Sequence, residues 1–246
     1  MTEPLELNDP FRIGKVFTIA QTANLVKVSQ KTVRNWLYGI SATPIPKAKA
    51  EFGTPNPKIP YEMTPVLGEA KPKVPDEVAR VSFLELSELI VVAQFREHGI
   101  KLPRIQKAHA YARQQWHLSH PFAHYNLTTL GGHILREFEE REPGPGRFVV
   151  LSSPGQYVLP VFVEEVLSEF DYSAKDNSAE RWHLYGREIP AVIDPRFGGG
   201  KPTIEGRGVS VEILVKRWRA HEPIRSIAKD FRLAQANVEA VLQRVA

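Results

Sequence analysis

No cysteine occurs among the 246 residues. That excludes disulfides, thiolate metal sites and cysteine nucleophiles at once, and it is unlike a small secreted scaffold. Long apolar runs are also missing. The best candidate, "LELSELIVVAQF", is interrupted by Glu85 and Glu88, so no membrane span is expected. The start, "MTEPLELNDPFRIG", has no basic segment followed by an apolar run, and no secretory leader is read there. These absences point to a soluble, cytoplasmic protein. A dominant charge is lacking too, because the net charge is only +4. Its distribution carries more information. Residues 200–246 hold nine basic side chains against five acidic, whereas residues 81–199 hold twelve against fifteen. Basic ends around an acidic middle suggest that the ends meet anionic partners.

What is present is ordinary globular material, 42% hydrophobic and 24% charged. Residues 44–75 carry eight prolines, which fix φ and remove backbone donors, so an irregular, extended segment rather than a helix or central strand is expected there. Beyond it, Ser82 and Glu85 have capping-box spacing, and Gly99 ends the helix they open. Pro103 can start a second helix, on which Ile105, Ala108, Ala112 and Trp116 recur at helical spacing. "GRFVVLSS" and "GQYVLPVFV" read as a strand pair around a Ser-Pro-Gly turn, with a short helix over 161–170. "RWHLYGREIPAVID" suggests further short strands around Gly186. The last 37 residues read as three short helices, the third carrying Val238, Val241, Leu242 and Val245. No long internal repeat is evident. The expected fold is α+β and mainly helical: a DNA-binding head over 1–116 with a proline-rich wing or linker at 44–79, a strand-containing region over 117–195, and a helical module over 196–246.

No motif commits the chain to catalysis. The loop "PRFGGGKP" invites a phosphate-cradle reading but has Pro195 and Pro202 where a Walker A loop needs glycine and a hydroxyl residue. His117, His120 and His124 have a conceivable metal spacing, but Pro121 breaks any helical face and no carboxylate lies nearby in sequence. "REFEEREPGPG" reads as a solvated, flexible edge. "SSPG" lacks the G-x-S-x-G pattern of a nucleophile elbow. Neither a cofactor nor a metal is expected.

"FTIAQTANLVKVSQKTVRNWLYGI", residues 17–40, has the layout of a helix-turn-helix. Thr18 can cap a first helix and Ser29 a second. Val33 and Leu37 form an apolar pair on the second helix, with Trp36 beside them. Gln30, Lys31, Thr32, Arg34, Asn35 and Tyr38 are left as candidate contacts to base edges and phosphates of a DNA duplex. The stretch "VSQKTVRNWLYGI" resembles the MerR-type winged helix-turn-helix. "RVSFLELSELIVVAQFREHGIKLPRIQKA" is similar to the remaining two helices of that module. The family's compact wing is replaced by the proline-rich segment, whose Lys47, Lys49, Lys58, Lys71 and Lys73 are candidate phosphate contacts.

The tail, "PTIEGRGVSVEILVKRWRAHEPIRSIAKDFRLAQANVEAVLQ", resembles a tri-helical prokaryotic module long catalogued as a domain of unknown function. Pro202, Ile204, Gly206, Gly208 and Val209 stand at its opening positions, and Ala234 departs from the usual helix-capping hydroxyl. Together, head and tail look like an atypical VapB-type antitoxin. That resemblance implies a PIN-like RNase toxin encoded nearby as partner, binding to operator DNA, and a homodimer. Candidate toxin contacts are Arg196, Lys201, Glu205 and Arg207. Arg207 is the first choice to pair with a toxin's metal-binding carboxylates, although an internal salt bridge is an equal reading. Trp218, Ile224, Ile227, Phe231 and Val241 are assigned to the module's core. The tail's cations (Lys216, Arg217, Arg219, Arg225, Lys229 and Arg232) suit a second DNA contact or an acidic protein. The alternative function is a MerR-like regulator without a toxin, sensing a ligand through the central region. A hydrolase built on that region is weaker, because no acid/base constellation appears.

Overall fold

The computed structural model describes residues 9–42, 61–67, 79–153 and 156–245. The lysines at 47, 49, 58, 71 and 73, most of the proline-rich segment and the Pro154–Gly155 turn lie outside these residues. A short helix α1 (Pro10–Ile13) leads into strand β1 (Lys15–Thr18), helix α2 (Ile19–Val26) and helix α3 (Gln30–Tyr38). Strands β2 (Ile40–Ala42) and β3 (Tyr61–Met63) then pair antiparallel, Ile40 opposite Met63. The proline-rich stretch therefore contains a short strand, Tyr61–Met63, within the segment expected to be irregular and extended. Its register is compatible with proline because the ribbon has two strands and no central position.

Strand β4 (Arg80–Ser82) pairs antiparallel with β1 and delivers the chain into helix α4 (Phe83–Glu97). Ser82 Oγ accepts from the Glu85 amide at 3.1 Å, while Glu85 Oε2 accepts from the Ser82 amide at 2.8 Å. This reciprocal cap satisfies two orphan donors at the helix start. Helix α4 is buried nearly all round, from Phe83 through Val92 and at Phe95. Such a helix forms the axis of a core rather than its surface. Glu88 lies in the middle of it without solvent exposure.

Helix α5 (Leu102–Trp116) and a 3-10 turn (Pro121–Ala123) close on Glu88 from two sides. Its Oε1 lies 2.8 Å from His109 Nε2 and accepts from the Phe122 amide at 3.0 Å, and its Oε2 lies 3.0 Å from His120 Nδ1. Burial alone would raise the Glu88 pKa, but the two histidines outweigh it and hold the carboxyl well below the usual carboxylate range.

The stretch read as a solvated, flexible acidic edge starts within a sixteen-residue helix, α6 (Asn126–Arg141), and only residues 142–146 continue as exposed, non-helical chain. Each of its acids has a partner: Glu137 accepts from the Tyr111 hydroxyl, Glu139 from the Phe148 amide, and Glu140 pairs with Arg136. Glu142, just beyond, pairs with Lys107. Strands β5 (Val150–Ser153) and β6 (Gln156–Val158) form the expected hairpin, followed by helix α7 (Val161–Ser168).

A four-stranded antiparallel sheet completes the fold, in the order β10 (Thr203–Ile204), β9 (Ala191–Ile193), β8 (Ala179–His183) and β7 (Phe170–Tyr172). Helices α8 (Val211–Arg219), α9 (Ile224–Phe231) and α10 (Gln235–Val245) follow, as the periodicity predicts. One apolar cluster runs from Phe17 to Ile193, and a second joins Ala191 and Ile204 to the three last helices. Ile227 and Val241 belong to the second, with Ile224 and Phe231 packed against it. Trp218 does not, being 38% exposed beside Pro223. Val211 and Leu214 fill the inward face of α8 and leave the last turn to project beyond the core.

The N-terminal segment is fastened to the central sheet by one buried cation. Arg12 is bidentate to Asp176 at 2.8 and 2.7 Å and also donates to Ser178 Oγ and Asp9. Burial would raise Asp176, yet its bonds from Arg12 and Ser178 hold it at about 2. A carboxyl whose folded pKa is depressed stabilises the fold above its unfolded pKa and loses that contribution as pH falls. The stability advantage of wild type over Asp176→Asn is therefore expected to be constant above about pH 5. It should shrink between about pH 4 and pH 2. Urea midpoints measured across that range test it, and a difference that stays constant down to the lower limit would refute the assignment.

Candidate functional site

Two surfaces collect the side chains that the sequence marks as functional. The first is α3. Helix α2 is held by a capping box, in which Thr18 Oγ accepts from the Gln21 amide at 3.1 Å and Gln21 Oε1 from the Thr18 amide at 2.8 Å. Lys27 then turns the chain in the left-handed conformation, at φ 58°, and Ser29 Oγ caps α3 by accepting from the Thr32 amide. Gly39, at φ 73°, ends it. Val33, Trp36 and Leu37 point inward and are buried. The backbone bond from Val66 N to Trp36 O, 2.8 Å, ties the returning chain after β3 to the same helix.

The helical period therefore leaves the predicted face outward. Gln30 and Lys31 are exposed, and Arg34, Asn35 and Tyr38 are half-buried on that side. The Arg34 guanidinium lies over the Tyr38 ring, 5.5 Å from its centroid. Stacking of this kind holds a long cation in one direction. Thr32 is engaged differently, since its hydroxyl sits 2.8 Å from Ser29 Oγ within the cap.

The second surface is the chain between β9 and α8. Gly198, Gly199 and Gly200 all have positive φ and form a single 3-10 turn. At Gly200 a Cβ would stand 2.7 Å from the Phe17 ring, so only glycine lets this turn lie against β1. The glycines thus serve a backbone approach within the protein and not a phosphate. After β10, Ile204 N donates to Val209 O at 2.7 Å and closes a tight turn through Gly206 and Gly208, at φ 71° and 63°.

The four predicted contacts in this segment separate by their partners. Arg196 is bidentate to Asp194 and also reaches Glu180 at 2.6 Å, bonds that hold its guanidinium firmly charged. Lys201 pairs with Glu212 at 2.9 Å, and Glu205 with Arg181 at 2.9 Å. Arg207 sits at the tip of the glycine turn, exposed, with no ion pair among the described residues. It borders a cleft of about 350 Å³ that Arg181, Asp194, Arg196 and Phe197 also line. Phe197 is 54% exposed there, with the Arg196 guanidinium 5.9 Å from its ring centroid. The arrangement offers one unspent guanidinium beside an exposed aromatic ring, which suits a carboxylate on a protein partner.

Sequence reasoning found no acid/base constellation, and the fold brings carboxylates and histidines together in two clusters among the described residues. One is the Glu88–His109–His120 knot. The other joins Asp171 to His183 at 3.0 Å and to Arg187 at 2.9 Å. Burial would raise Asp171, but its bonds from Arg187 and His183 bring it below its ordinary value. Residues twelve to thirty-four positions apart make these contacts, and no spacing rule announces them. Arg187 also donates to Ser168 O and Phe170 O, so this cluster fastens the end of α7 to the sheet. Among the described residues, no group of histidine, aspartate and glutamate side chains converges as a metal-binding cluster. No helix among them is long and apolar enough to cross a membrane.

Residues 192–243 match the family described as "Protein of unknown function (DUF433)". The chain is 28% identical over 243 residues to a Mycobacterium tuberculosis protein named "Putative antitoxin VapB45", covering 94% of each chain. Its fold is similar to the crystal structure of Rv2018 from Mycobacterium tuberculosis. That likeness has a TM-score of 0.69 and 25% identity, and it covers 93% of this chain and 97% of the other. The likeness extends through the central strands and is not confined to the two ends.

The outward presentation of α3 depends on Trp36, which is 5% exposed. Trp36→Ala is expected to cost about 3–5 kcal/mol, as for other buried aromatic truncations. Chemical denaturation reads this directly. A midpoint equal to that of wild type would contradict the inward packing of this helix.

Proposed function

We propose that the chain is an antitoxin of a type II toxin–antitoxin pair. It binds and neutralises a PIN-like RNase toxin encoded nearby. As a cytoplasmic homodimer it also binds operator DNA through α3 and represses the shared operon. The observation that carries this reading is the end-to-end match to the mycobacterial protein named an antitoxin, over 94% of each chain. Two features of the geometry support it.

The first is the division of labour along α3. Its apolar side is spent on the core, and its N-terminal half carries donors and acceptors that fit a major groove. The helix N-terminus adds partial positive charge toward phosphate. The strand ribbon β2–β3 follows immediately, where a winged helix-turn-helix carries its wing. The second feature is Arg207. A guanidinium pairs with a carboxylate through two parallel bonds, and a cluster of carboxylates that holds a metal is the strongest such target. Occupying it would obstruct the metal or the RNA. Arg196, Lys201 and Glu205 act in this reading by fixing the loop that presents Arg207, because their charges are spent within the chain.

Arg34→Ala should weaken binding to the DNA upstream of the chain's own reading frame by about 1–3 kcal/mol at fixed salt. Unchanged affinity would remove Arg34 from the reading face. Arg207→Glu should abolish growth rescue when co-expressed with the neighbouring PIN-like toxin, while leaving DNA affinity intact. Full rescue by that variant would take the toxin contact away from this turn. Substitution is the cleaner test than truncation, because β10 and Ile204 belong to the sheet and to the second apolar cluster.

A further inference from the structure

The last two helices repeat the hairpin of the head. Aligning Ile19 with Ile224 places an eight-residue helix on an eight-residue helix and α3 on α10. Between them stands a basic residue in the left-handed conformation in both cases, Lys27 at φ 58° ψ 40° and Arg232 at φ 52° ψ 42°. Their amides both donate to the alanine four positions back, Ala23 O and Ala228 O. The next amides reach the same carbonyls, Val28 N to Ala23 O at 3.0 Å and Leu233 N to Ala228 O at 2.8 Å. The second helices bury the same three positions, Val33, Trp36 and Leu37 in one and Val238, Val241 and Leu242 in the other. Few residues are shared, chiefly the isoleucine, alanine, glutamine, valine and leucine at 19, 23, 30, 33 and 37, so the sequence does not advertise a repeat.

The two hairpins carry their cations on opposite halves. In the head, Lys31 and Arg34 lie on the second helix, and the corresponding tail residues are Ala236 and Glu239. In the tail, Arg225, Lys229 and Arg232 lie on the first helix and the turn, where the head has Ala20, Asn24 and Lys27. Spacing of i, i+4 puts Arg225 and Lys229 on one stripe of α9, away from the buried Ile227, and Arg232 follows at the left-handed cap. All three are exposed and have no ion pair among the described residues. By contrast, Arg217 is spent on Glu222 and Asp230, and Lys216 on Glu212. The nearest carboxylate to the stripe in sequence, Asp230, is thereby already neutralised.

We propose that the tail is a second helix-turn-helix that grips duplex DNA by its phosphate backbone, without reading sequence. Four residues of helix span about 6 Å, and a strand of B-form DNA presents a phosphate every ~3.4 Å of axis. Arg225 and Lys229 thus suit neighbouring phosphates, with Arg232 beside them at the turn. Its second helix has Ala236 and Glu239 where the head has Lys31 and Arg34, its Gln235 is bonded to Glu239, and its cation Arg244 lies in the last turn. Head and tail divide the work of one reader: the first selects a site and the second adds charge-driven affinity. This goes beyond the antitoxin reading and does not need a toxin.

The test uses the full chain, short duplexes of several unrelated sequences plus the upstream DNA, and anisotropy titrations over a range of KCl. The triple variant Arg225→Gln, Lys229→Gln, Arg232→Gln should lose affinity by the same factor on every duplex. The slope of log K against log salt should flatten by roughly 2–3, since each phosphate contact contributes ~0.9. The charge-retaining variant Arg225→Lys, Arg232→Lys should keep the wild-type slope, which separates lost charge from lost folding. Wild-type affinity and slope in the triple variant would overturn the proposal, as would a wild-type chain that binds no duplex. A triple variant that keeps DNA binding but no longer neutralises the toxin would overturn it in favour of an acidic protein contact. The head is judged separately by Lys31→Gln with Arg34→Gln, which should erase the preference for the upstream DNA and leave the tail's salt dependence in place.

Discussion

A carboxylate without access to water must be met by donors from the protein, and Glu88 concentrates that requirement at the centre of this fold. It lies on the helix at the axis of the first apolar cluster, and its two oxygens are satisfied by His109, His120 and the Phe122 amide. Those donors come from α5 and from the turn that starts the central region. Packing of apolar side chains alone tolerates sliding, whereas a buried charge with three directed bonds does not. The angle of α5 to α4 and the entry of the chain into the central region are therefore fixed together. Arg12 does the same at the opposite end of the chain, binding the first helix to the β7–β8 connection over 164 positions.

With that frame set, the glycine-rich loop has a plain mechanical use. Three consecutive residues at positive φ bring the backbone onto the Phe17 ring, at a spot where any side chain would collide. The loop anchors the C-terminal helices to the head and leaves a second, smaller glycine turn projecting with Arg207. Charge neutralisation then sorts the neighbouring cations and anions. Ion pairs absorb Arg196, Lys201 and Glu205 into the scaffold, and the guanidinium without an ion pair among the described residues is the one at the tip. In such a segment the residue available to another molecule is identified by what its neighbours have already claimed.

The two helical hairpins illustrate how one backbone solution serves different surfaces. Both depend on a left-handed turn residue that lets its own amide and the next one satisfy carbonyls at the end of the first helix. Both bury the same three positions of the second helix. Only the head has a hydroxyl at the second helix's cap, and only the head places cations in the first two turns of that helix. The scaffold is indifferent to these exposed positions, so charge can move from one half of the hairpin to the other without altering the fold.

Local chemistry made much of this legible from the chain alone. Thr18, Ser29 and Ser82 cap the helices their spacing announces, and Val238, Val241 and Leu242 are buried as their period requires. The β5–β6 and β8–β9 pairs follow from alternation and turn residues, and the outward face of α3 follows from its apolar stripe. Each of these is decided by residues within a few positions of one another. Tertiary structure alone decided the rest. Helix α6 is hidden in the sequence by two glycines and an acidic run, and its glutamates find partners on α5 and beside β5. Glu88, Asp171 and Arg12 acquire their roles from groups far away in the chain. Trp218 is exposed because it lies on the last turn of α8, which projects beyond the core that Val211 and Leu214 enter. Which loop cation stays unpaired, and that the tail repeats the head, could be seen only once distant charges and backbone angles were set side by side.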